Sequence, residues 1–366
     1  MITRRDMLKS GAVVAAAGFV APQRVLAQDA VFAPTPGAWR GFEVLTHLEL
    51  PARGRAQAWI PLPSVQEGEW IRLGKNTWQG NAASAEVVSD PKYGAQFLHV
   101  VFKDGEPAPT IEVRSSFSLR DRAEDLGASS QVPMLSAAER RLYLEATELM
   151  PTDGIVQETA EKAIAGKASD LDKARAIYEW VVVNTFRDAK TRGCGTGDVA
   201  SMLRTGNLGG KCADLNALYV ALVRAAGIPA RDIYGIRVAP SKFGYASLGA
   251  GSATITKAQH CRAEVWLDGY GWVATDPADV RKVVLEEPPG NNAIDTPKVV
   301  AARRTLFGAW EGNWLGYNMA HDLELPGSRH KVAFLMYPQA EIAGALLDCL
   351  DADTFKYTIK SAEITA

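Results

Sequence analysis

Cys212 follows Asn207-Leu208-Gly209-Gly210-Lys211 and stands where an apolar helical stripe begins, with Leu215, Leu218, Tyr219, Leu222 and Val223 on one face. A cysteine in the first turn of a helix meets the positive end of the helix dipole and unpaired N–H groups. Both favour the thiolate, the nucleophilic form. His260 lies 48 positions on, in Gln259-His260-Cys261-Arg262-Ala263-Glu264-Val265-Trp266-Leu267, and Asp276 another 16 on, in Gly271-Trp272-Val273-Ala274-Thr275-Asp276-Pro277. The last two segments read as a hairpin turned at Asp268-Gly269. Adjacent antiparallel strands set an imidazole beside a carboxylate, and the carboxylate fixes the tautomer and orientation of the ring. His260 would then take the thiol proton and later deliver it to a leaving group. Singly, each residue has an ordinary structural use; in this order they outline nucleophilic acyl chemistry.

Elements that position such a trio follow from the patterning. Period-two alternation marks Phe42 to Thr46, Ala56 to Leu62, Phe97 to Phe102 and Thr110 to Leu119, separated by turn chemistry, and suggests a β-sandwich over 28–135. At Ser136 the period changes: Ser136-Ala137-Ala138-Glu139 is a capping box, predicting a helix to about Met150. Ser169 opens a second amphipathic helix, the Cys212 helix is the third, and Gly227-Ile228-Pro229 ends it before a strand over Asp232 to Val238. A core over 136–287 thus precedes a Pro/Asn/Gly-rich link. The β-rich extension, 288–366, is too small for a core of its own and is expected to pack on its neighbours.

The first 27 residues read as an export signal: basic Thr3-Arg4-Arg5-Asp6-Met7-Leu8-Lys9, an apolar run from Gly11 to Val20, and a small-residue exit at Val25-Leu26-Ala27. The apolar run is far short of the ~20 residues that span a bilayer as a helix, so cleavage after Ala27 is expected, with no stable membrane insertion afterwards. The paired arginines resemble a twin-arginine signal, which exports folded proteins; a general secretory signal with two chance arginines is the alternative. Past residue 27 the chain holds 36 basic and 41 acidic side chains, a net charge of −5. No concentrated basic face argues for nucleic acid as a partner. Four cysteines, widely spaced, do not make a disulfide scaffold.

The stretches Gly209-Gly210-Lys211-Cys212-Ala213-Asp214-Leu215 and Arg224-Ala225-Ala226-Gly227-Ile228-Pro229-Ala230-Arg231, together with His260, Glu264, Gly271-Trp272 and Asp276-Pro277, resemble the transglutaminase-like superfamily, a branch of papain-like thiol enzymes. The resemblance covers roughly 136–284. It implies an α+β core of helices packed on an antiparallel sheet, preceded by the β-domain of exported bacterial members. It also implies the triad Cys212, His260 and Asp276, a peptide or amide substrate and no cofactor or metal. Where an aromatic often follows the histidine, this chain has Cys261-Arg262.

Around the triad, Gly210, Lys211, Cys194, Gln259 and Trp272 are candidates for substrate contact, with Gln259 or a residue of 193–198 as second oxyanion donor beside the Cys212 N–H. The Gly- and Ser-rich stretch 240–257 reads as a mobile flap. A Cys194–Cys261 disulfide, and a stacking wall from Phe307, Trp310, Trp314 and Tyr317 as against core packing, stay open. Three functions compete: a cysteine hydrolase, a protein-glutamine amine transferase, and a binding protein that keeps the fold. A metal site on Cys194, Cys212, Cys261 and His260 lacks the usual ligand spacing. Oligomeric state is left open.

Overall fold

The structure is a computed structural model that describes residues 32–51, 54–129 and 132–364; the signal segment and its cleavage point lie outside the described residues. The N-terminal region lays down six strands: β1 (Arg40–Glu49), β2 (Ala56–Pro61), β3 (Ile71–Gly80), β4 (Ser84–Ser89), β5 (Gln96–Val101) and β6 (Thr110–Leu119). Two antiparallel sheets result, and they share an apolar interior built from Leu48, Ile60, Leu98, Val100, Ile111 and Val113. Strands β3 and β4 escaped the sequence reading because most of their side chains are exposed, so neither carries an apolar alternation.

Helices follow: α1 (Ala137–Leu142), α2 (Gly154–Ala163), α3 (Asp170–Asn184), α4 (Val199–Thr205) and α5 (Cys212–Ala225). The capping box at Ser136 forms, but α1 stops at Leu142 instead of running to Met150. Its continuation loses to tertiary bonds: the carbonyl of Tyr143 accepts from Ala230 N (3.0 Å), and that of Glu145 accepts from Arg224 Nη1 (2.9 Å). Helix α5 is buried over nearly its whole length, from Cys212 to Arg224.

It packs on an antiparallel sheet of β7 (Ala230–Arg237), β8 (Gln259–Leu267), β9 (Gly271–Thr275) and, after α6 (Pro277–Glu286) and α7 (Pro297–Thr305), β10 (Trp314–Asn318). The order is β9-β8-β7-β10. This is the mixed helix-and-sheet arrangement expected from the sequence. The C-terminal extension contributes to each of the three larger sheets. Beyond β10 in the core sheet, β11 (Gln339–Ile342) pairs with β2, and β12 (Lys356–Ile364) pairs with β1 over its whole length. Phe307, Trp310, Trp314 and Tyr317 are at most 3% exposed, so they are core packing and not a stacking wall. Among the described residues no helix is long and apolar enough to cross a membrane.

Candidate active site

Sequence spacing becomes geometry at one end of α5. His260 is the second residue of β8 and Asp276 caps α6 directly after β9; Asp276 Oδ1 accepts from Asp279 N at 3.0 Å, and Pro277 takes the first helical position. His260 Nε2 and Asp276 Oδ2 are 2.7 Å apart, both groups buried. The Nδ1 edge is thereby left for Cys212, with which His260 interacts. Trp314 Nε1 donates to the His260 carbonyl at 2.9 Å, holding the strand start in place.

Three residues that sequence reasoning missed complete the arrangement. Asn216, one helical turn after Cys212, donates from Nδ2 to the Cys261 carbonyl (2.8 Å) and to Asp276 Oδ1 (3.2 Å). Asp279 lies 3.4 Å from His260 Nε2 and is paired with Arg237, whose Nη2 donates to its Oδ1 at 2.5 Å. Spacing gave a hint of two of them, i,i+4 from Cys212 and i,i+3 from Asp276, while Arg237 is a lone charge at the end of a buried strand. His260, Asp276 and Asp279 converge closely enough to hold a cation. His260 Nε2 and Asp276 Oδ2 are already paired with each other, and Asp279 Oδ1 with the Arg237 guanidinium, while Asp279 Oδ2 is buried without a hydrogen-bond partner among the described residues.

Charges follow this geometry. Burial opposes the Cys212 thiolate, yet the thiols of Cys194 and Cys261 and the His260 side chain hold it well below the ordinary thiol range. The same contact with Cys212, together with burial, pushes Cys194 and Cys261 well above that range. All four cysteines are free thiols. Burial and Arg237 press the His260 imidazolium down, but Asp279 and Asp276 outweigh them and leave it raised. Burial and the Asp279 charge raise Asp276, against the pull of His260. A thiolate–imidazolium pair is the form these shifts favour. Iodoacetamide should therefore label Cys212 fast at pH 6 while Cys194 and Cys261 stay slow, and His260→Ala should remove the difference. Peptide mapping by mass reads this directly, and uniformly slow labelling would contradict the ion pair.

A cavity of about 580 Å³ opens on Cys212 and His260, and Cys194, Lys211 and Gln259 line it. Gln259 Nε2 is buried there with no hydrogen-bond partner among the described residues. Gly210 and Trp272 lie off the cavity lining. The Gly210 Cα has no room for a side chain because Asp214 fills it: a Cβ would come within 2.5 Å of the Asp214 Cβ and carboxylate. Asp214 in turn accepts from the N–H groups of Thr196, Gly197 and Lys211 at 2.9–3.0 Å, knitting the Cys194 loop to the start of α5. The missing side chain at Gly210 thus makes room for the Asp214 carboxylate. Trp272 pairs with Trp266, six residues and roughly 20 Å along β8 from His260, and the Arg231 guanidinium covers it at 3.9 Å.

The expected flap is pinned. Ser247 N and Oγ donate to Glu287 Oε2 (2.9 and 2.8 Å), Ile255 N to the Ile359 carbonyl (2.8 Å) and Ser361 N to that of Ala253 (2.9 Å). Facing it, Tyr337, Leu350, Phe355 and Tyr357 of the C-terminal extension supply a wall that the sequence reading did not foresee.

Helix, sheet and buried trio define the core of a thiol-enzyme superfamily. Residues 157–277 match the family model of the transglutaminase-like superfamily, and residues 1–21 match the twin-arginine translocation pathway signal sequence. An uncharacterized protein of Haemophilus influenzae is 36% identical over 328 residues, 86% of this chain and 88% of its own. The structure of a candidate cysteine protease from Cytophaga hutchinsonii is similar in fold, with a TM-score of 0.56 at 13% identity over 91% of this chain and 94% of that one. The periplasmic domain of TgpA from Pseudomonas aeruginosa aligns over 68% of this chain and 90% of that one, with TM-score 0.33 and 16% identity. Residues 157–277 of the chain form a transglutaminase-like domain. Its signal directs export from the bacterial cytoplasm, to the periplasm or beyond.

Proposed function

We propose that this protein is a cysteine hydrolase that forms a thioester on Cys212 with peptide or amide substrates. The observation that carries the reading is the buried Cys212–His260–Asp276 arrangement at the floor of an open cavity. The Cys212 thiolate attacks the carbonyl carbon, and the resulting oxyanion takes hydrogen bonds from the Cys212 N–H and Gln259 Nε2. His260 gives its Nδ1 proton to the departing amine as the C–N bond breaks. Water then attacks the thioester, His260 accepts its proton, and the carboxylic acid leaves with the thiol restored.

Amine transfer is the alternative fate of the thioester, and it wins only where the site binds amine and excludes water. A cavity open to water favours hydrolysis. A partition experiment tests this: a glutamine peptide is incubated with low-millimolar primary amine, and adduct and free acid are weighed by mass. Free acid should dominate, with neither product from Cys212→Ala. Predominant adduct would replace the hydrolase reading by a transferase one, and the absence of both with any peptide would favour a binding protein.

A further inference from the structure

The cavity over Cys212 carries six cationic side chains, Arg187, Arg192, Lys211, Arg237, Lys257 and Lys282, and no carboxylate among the described residues that line it. This is unexpected in a chain whose acidic groups outnumber its basic ones. Carboxylates behind the wall answer some of these charges. Arg237 pairs with Asp279, Arg192 Nη1 lies 2.6 Å from Asp348, and Arg187 and Lys282 share Glu286. Three carboxylates therefore face six cations. Lys211 and Lys257 have no ion-pair partner among the described residues. Each lies close in the chain to a reacting group, Lys211 next to Cys212 and Lys257 three residues before His260, and both line the same cavity. A second sign of the field is Lys282, whose ammonium is pushed down to about 8 by burial and by the Arg237 charge.

We infer that the acyl substrate carries a carboxylate close to the scissile bond, and that Lys211 and Lys257 are the groups that select it. The inference rests on the proposed thioester chemistry at Cys212. A cleft of one sign of charge with low-dielectric walls concentrates ligands of the opposite sign, by roughly 10- to 1000-fold. It excludes cationic ones by the same field. A peptide offers such a carboxylate in two ways, as an acidic side chain beside the bond or as its own C-terminus.

Two alkylating reagents of nearly equal size and different charge separate the questions. Rates of Cys212 alkylation by iodoacetate and by iodoacetamide are measured on the mature chain at low ionic strength, and their ratio is divided by that of a small neutral thiol. Any change in thiolate content affects both reagents alike and cancels. The corrected ratio should exceed one by about tenfold, fall toward one in 0.5 M NaCl, and drop at least about threefold in Lys257→Gln and further in Lys211→Gln/Lys257→Gln. A ratio near one at Cys212, or one unmoved by the lysine variants, overturns the selection. No reaction at Cys212 with either reagent overturns the thioester chemistry itself. Protection against iodoacetamide then identifies the source of the charge, using acetyl-Ala-Glu-Ala amide, acetyl-Ala-Ala-Ala with a free carboxylate, and acetyl-Ala-Ala-Ala amide. Protection by the first or second at concentrations where the neutral third fails supports the inference and names the carboxylate; equal protection by the third overturns it.

Discussion

Asp276→Asn should keep its fold and lose on the order of 10³ to 10⁴ in kcat/KM, by analogy with other triads. In the native chain Asp276 Oδ2 meets His260 Nε2 at 2.7 Å, which requires the proton on Nε2 and leaves Nδ1 free to accept from Cys212. An amide Nδ2 in that place donates where the carboxylate accepted. The ring then shifts to the tautomer that carries its proton on Nδ1, and it can no longer take one from the thiol. The fold survives because the remaining amide oxygen still accepts from Asp279 N and Asn216 Nδ2, as Oδ1 does now. Unchanged melting with a collapsed kcat/KM on a cleaved peptide is the expected pair of results. Wild-type turnover would remove Asp276 from the mechanism.

Arg237→Met should cost about 3–5 kcal/mol of stability, the usual effect of taking one partner from a buried ion pair. The guanidinium is 2% exposed and meets Asp279, 1% exposed, while its Nη1 also donates to the Leu248 carbonyl at 2.6 Å. Its loss strands an ionised carboxylate against His260. Replacing both groups by apolar ones, Arg237→Met/Asp279→Leu, should recover most of the loss. Burial would raise the Asp279 carboxyl, but Arg237, His260 and other nearby cations hold it well below the ordinary range. A depressed carboxyl contributes stability that is fully present above its unfolded value, about 3.9, and is lost as pH falls through the folded one. Through Asp279, the gap between wild type and Arg237→Met should therefore be present at neutral pH and shrink as the pH falls into acid. Denaturant unfolding at these pH values measures it, and a gap under about 1 kcal/mol at pH 7 would mean that the pair is dispensable.

What the sequence displayed and what it hid have physical causes. Cys212, His260 and Asp276 were legible because each sits at an element boundary with its own signature: glycines before a helix, an alternating strand, a carboxylate before proline. Asn216, Asp279 and Arg237 act through other side chains; helical spacing from Cys212 and Asp276 hinted at the first two, and nothing local marked Arg237. Trp272 is part of the motif, yet its partner is Arg231 on strand β7 of the same sheet. Helix α1 shows propensity outvoted by two tertiary hydrogen bonds. The cleft wall from Tyr337 to Tyr357 was hidden most completely, because it depends on where β11 and β12 dock, and register between distant strands is not written in either strand alone.

That docking has a consequence for the order of events in the cell. Strand β12 pairs with β1 along its length, and Arg40 on the one side reaches Glu363 on the other, 323 positions away in the chain. A nascent chain leaving the ribosome holds β1 for almost its whole synthesis without the strand that covers its edge, and an uncovered edge invites pairing with other chains. The first sheet can close only after the last strand has emerged. Vectorial folding, in which each segment settles as it appears, is therefore barred to this topology, whether at the ribosome or through a channel that passes an extended chain. A twin-arginine route removes the second exposure: the polypeptide finishes in the cytoplasm, closes its loop from end to end, and crosses the membrane already shut.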